Sequence, residues 1–159
     1  MNRRALSNLK ARLRGKVVFV GVGNPSRGDD GFGPQLVKRL KRAPGLLSQL
    51  PPPSFFDVGR VPENYLEVII AERPDTLVLI DTVEFGGPAG TLKVVTPDDI
   101  IEGGLSTHNI SLKLIVEYLQ SRTGADIFIL GVQPRTLKVG SAISQPVREV
   151  LDEVVKMFN

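Results

Sequence analysis

Four acidic positions and one imidazole carry the chemistry open to this 159-residue chain. They are Asp29 and Asp30 in Gly28-Asp29-Asp30-Gly31, then Asp57, Asp81 and the lone His108. Two carboxylates and one imidazole make a mixed oxygen and nitrogen donor set. Such a set suits a borderline divalent ion, nickel or zinc rather than calcium. A carboxylate can also serve as a general base. The chain contains no cysteine, which removes thiolate zinc sites, iron–sulfur clusters, disulfide scaffolds and cysteine nucleophiles. A single histidine removes every multi-histidine metal site.

Each residue also has an ordinary structural use. Asp29 or Asp30 can cap the helix that follows, worth about 1 kcal/mol; one of the pair can cap while the other faces a cleft. Asp81 ends an apolar strand, so its carboxylate must be paired, hydrogen-bonded or metal-bound; a backbone amide or an arginine would suffice. His108 falls near a helix start, where the protonated ring is disfavoured and the neutral ligand form is kept. A Ser-His-Asp triad would compete for it, but no G-x-S-x-G elbow is present. The glycine loop after the first strand suggests a dinucleotide site and fits it poorly. Ser26 stands where the third glycine belongs, and adjacent carboxylates would repel a pyrophosphate.

The elements that must position these residues follow from hydrophobic patterning. Strands are expected at 16–22, 54–58, 76–81, 91–96 and 127–133, the fourth returning antiparallel. Helices are expected after Gly28–Pro34 to about residue 42, over 62–73, after the caps Ser106 and Thr107, and after Ser144-Gln145-Pro146. A single helical turn is expected at Thr96-Pro97-Asp98-Asp99, and 43–53 reads as a stiff proline-rich connection. Strands alternating with helices predict a three-layer α/β/α sandwich with a mostly parallel, roughly five-stranded twisted sheet. Ligands in such sheets sit beyond the carboxyl ends of the strands. That rule gathers Asp29, Asp30, Asp57, Asp81 and His108 onto one rim.

Length and composition (42% hydrophobic, 23% charged) suit one packed domain, taken as 16–159. Residues 1–16 carry Arg3, Arg4, Lys10, Arg12, Arg14 and Lys16 and no acid, so the net +3 belongs to this segment and the body is acidic. Residues 1–15 are expected to be a basic extension, solvated and partly frayed. The alternative is a short amphipathic helix through Leu6, Leu9 and Leu13, touching a membrane surface or nucleic acid. No apolar run approaches the roughly 20 residues of a membrane span. A cytoplasmic protein with no nucleic-acid partner and no membrane contact is expected.

Taken together, these segments resemble the [NiFe]-hydrogenase maturation endopeptidases. The resemblance rests on Val20-Gly21-Val22-Gly23-Asn24, Gly28-Asp29-Asp30-Gly31-Phe32-Gly33-Pro34, Val61-Pro62-Glu63-Asn64, Leu79-Ile80-Asp81-Thr82, Gly90-Thr91-Leu92, Pro97-Asp98-Asp99, Ser106-Thr107-His108-Asn109 and Gly131-Val132-Gln133-Pro134, in this order and spacing. It implies a peptidase of the aspartyl type that removes the C-terminal extension of a hydrogenase large-subunit precursor after nickel insertion. It also implies that Asp30, Asp81 and His108 contact the metal and carry catalysis, with Asp57 as a secondary substrate or metal contact. The nickel would arrive with the substrate and not be permanently bound. The alternative is a non-hydrolytic nickel-binding accessory protein for hydrogenase assembly.

Overall fold

In this computed structural model, residues 2–101, 106–107 and 112–159 are described. β1 (Val17–Val22) is buried along its whole length. β3 (Thr76–Glu84) is buried up to its last residue. Near-continuous apolar runs of this kind belong to strands covered on both faces. β1 pairs in parallel with β2 (Ser54–Gly59) on one side and with β3 on the other. β3 continues in parallel to β6 (Asp126–Val132), and β4 (Leu92–Val95) closes the far edge antiparallel to β6. The order β2-β1-β3-β6-β4 makes the expected mostly parallel five-strand sheet. A two-residue strand, β5 (Ser106–Thr107), adds antiparallel to the end of β3.

Helices cover both faces. α1 (Arg3–Arg12), α2 (Phe32–Leu40) and α7 (Gln145–Lys156) enclose one core with Phe19, Ile80 and Phe128. α7 presents the stripe read from the sequence, with Val147, Val150, Leu151 and Val154 buried. α4 (Leu66–Ala71) and α6 (Leu112–Arg122) close the second core around Val20, Leu77 and Leu79. Two shorter helices, α3 (Pro44–Leu47) and α5 (Pro97–Ile101), complete the set among the described residues. Asp99 reaches back to accept from the Thr96 amide at 3.0 Å, the return half of a capping box. No helix among the described residues is long and apolar enough to cross a membrane.

The expectation of a solvated basic extension is corrected here. α1 packs Leu9 completely into the core, with Ala5 beside it and Leu6 and Leu13 at the margin. The Asn2 side chain donates to Gly90 O at 3.0 Å and accepts from Leu92 N at 3.1 Å. Arg12 pairs with Asp126 at 2.6 Å while its guanidinium lies 4.4 Å from the Phe128 ring centre. The leucine spacing therefore serves internal packing, and the basic residues sit on the outward stripe.

Three further expectations change. Ser106 and Thr107, read as helix caps, pair with β3, and the helix is described over Leu112–Arg122, residues 108–111 between them lying outside the described residues. The helix expected over 62–73 is a 3-10 turn, Pro62–Tyr65, running into α4. Within 43–53, Pro44 opens the short α3, its φ being pre-set for a first helical turn.

Candidate functional site

The strand order places the reversal of the chain between β1 and β3. From β1 the chain crosses through α2 to β2 on one side, and returns through α4 to β3 on the other. The crevice beyond the carboxyl ends of β1 and β3 is thus the topological switch point, where open α/β sheets bind ligands. Asp30 enters it from the loop after β1, and Asp81 stands in the second half of β3.

Close packing brings α2 onto the sheet there. A Cβ on Gly33 would lie 2.5 Å from both Ile80 O and Val22 O, so only glycine lets the helix approach β1 and β3 this closely. Gly23 has φ 141, and a Cβ on it would meet Asp30 O at 2.0 Å. These two glycines fold the loop back on itself and turn the 3-10 segment Gly28–Gly31 toward the rim. That segment continues into α2, whose N-terminal dipole favours negative charge.

The two adjacent aspartates do different work. Asp29 is fully buried and its carboxylate is saturated. Oδ2 accepts from Arg135 N (2.7 Å), Thr136 N (3.1 Å) and Ser144 Oγ (2.8 Å), and Oδ1 from Ser144 N (2.7 Å). It fastens the loop before α7 to the start of α2, which is a structural role. Asp30 has only 5% of its surface exposed. It accepts from Asn24 N at 2.8 Å and, more weakly, from the Thr82 hydroxyl at 3.4 Å. Thr82 also donates its amide to Asp81 Oδ1 at 2.8 Å. Thr82 thus contacts both carboxylates, Asp30 through its hydroxyl and its chain neighbour Asp81 through its amide.

Asp81 is fully buried and pairs across to Gly131. A side chain at Gly131 would press on Val83 at 2.7 Å and Phe85 at 3.1 Å, so the neighbouring strand offers bare backbone beside Asp81. Beyond Asp81, β3 is held by Gln133. That side chain accepts from Phe85 N at 2.6 Å and donates to Glu84 Oε1 at 2.8 Å. The end of β3 in turn carries β5, with Val83 opposite Thr107. His108, the next residue in the chain, lies outside the described residues.

Asp57 does not join the carboxylate pair. It alternates with Phe55, which packs on the α2 and α7 face, whereas Asp81 alternates with Leu79 and Val83 on the opposite face. Asp57 is exposed, and its carboxylate accepts from Gly59 N at 3.1 Å. Among the described residues no three His, Asp or Glu side chains converge as a metal-holding group. Thr82 and the Asn24 amide are contacts that residue-type reasoning did not single out. Their signal was faint: a hydroxyl next to a strand-end acid, and an asparagine after a glycine.

The sequence profile of the hydrogenase maturation protease family matches residues 34–159. The chain is 33% identical to the hydrogenase 3 maturation protease of Escherichia coli K12 over 138 residues, covering 86% of this chain and 85% of that one. It is 32% identical over 143 residues to a putative hydrogenase maturation protease of Methanocaldococcus jannaschii, covering 88% and 84% of the two chains. The crystal structure of the [NiFe] hydrogenase maturation protease HycI from Thermococcus kodakarensis superposes with a TM-score of 0.82 at 30% identity, over 94% of this chain and 95% of that one.

Proposed function

The chain belongs to the hydrogenase maturation protease family and is a peptidase; from that premise we propose the bond it cuts and how it chooses its moment. It removes the C-terminal extension of a [NiFe]-hydrogenase large-subunit precursor, in the cytoplasm, once nickel is in place. The substrate's nickel is read directly by Asp30, Asp81 and His108. The observation that supports this reading is the burial of two carboxylates at the switch point, Asp30 in the loop after β1 and Asp81 on β3, each in contact with Thr82. Buried carboxylate oxygens beside a crevice are the donors a divalent guest would use.

A precursor lacking the ion would forgo its contacts with these donors and bind weakly. Specificity then comes from a required ligand interaction. Carboxylate oxygens and one imidazole nitrogen match a borderline divalent ion. In the hydrolytic step Asp30 or Asp81 acts as general base, accepting a proton from the attacking water, in a peptidase of the aspartyl type. The nickel that arrives with the substrate supplies Lewis acidity at the scissile carbonyl. Asn24 and Thr82 keep the Asp30 carboxylate oriented by donating to its two oxygens.

The test is mass spectrometry of purified large-subunit precursor, with and without nickel, mixed with this protein. A shortened product is expected only from the loaded precursor. Asp30→Asn is expected to slow trimming on the order of 100-fold or more, the usual worth of a positioned acid–base group. Trimming by that variant at the wild-type rate overturns the assignment of Asp30. A loaded precursor that stays intact in a stable complex shows an accessory protein in place of a peptidase acting on this bond.

A further inference from the structure

Resting on that reading, we propose that the open groove beside α2 seats the polypeptide strand of the client protein, and that it selects a segment bearing acidic side chains. The groove is about 780 Å³ and is lined by Pro25, Pro34, Lys38, Arg42, Asp57 and Val155, among others. That volume falls within the range of natural ligand clefts. One end of it is continuous with the site. Pro25 directly follows Asn24, whose amide holds Asp30, and Asp57 pairs with Gly21 at the carboxyl end of β1. The other end runs along α2 to the last turn of α7.

The charges in the groove are arranged by sign. At the far end stand Lys38, Arg39 and Arg42, while Asp57 stands at the site end. Arg39 is already paired with Asp152 at 2.6 Å. Lys38 and Arg42 are exposed, and neither forms an ion pair with another described residue. Lys38 lies in the last turn of α2 and Arg42 just past its end, so two like charges stand near one another. The helix dipole welcomes cations near a C-terminus. It does not explain why two of them border a cleft whose floor is proline, alanine and valine. A guest strand with apolar side chains on that floor and carboxylates at the α2 end satisfies both features. Asp57 at the opposite end disfavours the reversed orientation. From Pro34 to Leu40 the helix rises about 9 Å, with Arg42 just past its end. An extended guest covers that distance in roughly three residues. The acidic residues of the client are therefore expected about three or four positions from the site-proximal end of the bound segment.

The experiment is binding and trimming of nickel-loaded large-subunit precursor by the wild-type protein and by Lys38→Glu/Arg42→Glu. The exposed Lys113→Glu on α6, on the other face of the sheet, is the control. Fluorescence anisotropy is expected to show at least tenfold weaker binding for the double variant, with KM raised, kcat retained at saturation, and a shallower loss of affinity with added salt. The control is expected to behave as wild type. Equal affinity of wild type and double variant overturns the groove, whatever happens to trimming. Groove-dependent binding with no trimming retains the groove and overturns the proposed reaction. Self-association of the wild type alone, abolished by the double variant, assigns the groove to a second copy of this chain and overturns the client assignment, as does a precursor that does not bind at all.

Discussion

Neighbouring aspartates in Gly28-Asp29-Asp30-Gly31 should fail in opposite ways when altered. Asp29→Ala strips four hydrogen bonds of 2.7–3.1 Å from a fully buried carboxylate. A bond to a charged group contributes about 1.5 kcal/mol at the low end, so simple summation over four gives about 6 kcal/mol before any compensation. The donors on Arg135, Thr136 and Ser144 belong to a part-buried loop and regain some bonding to water. About 3 kcal/mol is the expected net cost. In a domain of this length each kcal/mol moves the melting midpoint by about 2–4 °C, so a drop of about 6–12 °C is expected. Asp30→Asn keeps the shape of its side chain and loses only two orienting contacts. Its midpoint should stay within about 3 °C of wild type while trimming is lost. Differential scanning calorimetry of both variants, with the trimming assay run well below each midpoint, makes the comparison. The division of labour is refuted if Asp29→Ala melts less than about 3 °C below wild type, or if Asp30→Asn melts as early as Asp29→Ala.

Other outcomes follow from single contacts. Leu9→Ala removes a fully buried side chain of α1 and should cost about 2–4 kcal/mol in denaturant unfolding; a solvated helix would show no more than about 0.5 kcal/mol. Gly33→Ala drives a methyl group to 2.5 Å from two backbone carbonyls and should lower stability by about 3 kcal/mol or more, whereas Gly124→Ala, with nothing within 4 Å, should stay close to wild type. Hydrogen bonding from Arg122, then from the Tyr118 hydroxyl, holds the Glu67 carboxyl below its ordinary value. A carboxyl lowered on folding stabilises above its unfolded pKa and loses that contribution as pH falls through the folded one. The melting midpoints of wild type and Glu67→Gln should therefore differ slightly near neutrality and converge in acid; a gap that widens on acidification would contradict the sign.

Much of the architecture was legible because its signals are local. Val17–Val22 and Leu77–Ile80 are apolar runs too short for helices and too continuous for half-exposed strands, so their burial in a parallel sheet followed. The α7 stripe announced its own face. Misreadings fell where the partner decides. Leu6, Leu9 and Leu13 have helical spacing, but the surface they cover is supplied by the β4 and β6 side of the sheet, more than eighty residues away. Ser106 and Thr107 have the chemistry of caps, yet β3 extends past Asp81 and offers them an open edge, and hydrogen bonding to that edge wins.

For the site, residue types alone determined that any metal chemistry must rest on aspartates and one imidazole, because cysteine is absent and histidine occurs once. The rule for parallel sheets further determined which strand ends to inspect. The family resemblance singled out Asp30, but residue type alone could not separate it from Asp29 in a glycine-rich loop, and the tertiary structure shows their different surroundings. A 3-10 turn points successive side chains in different directions; one meets the amides of a loop over a hundred residues later, and the other meets Thr82. Only the structure likewise set Asp57 apart from Asp81, because strand alternation sends their carboxylates to opposite faces of one sheet. Which donors a carboxylate finds depends on segments far along the chain, and short-range pattern carries no record of them.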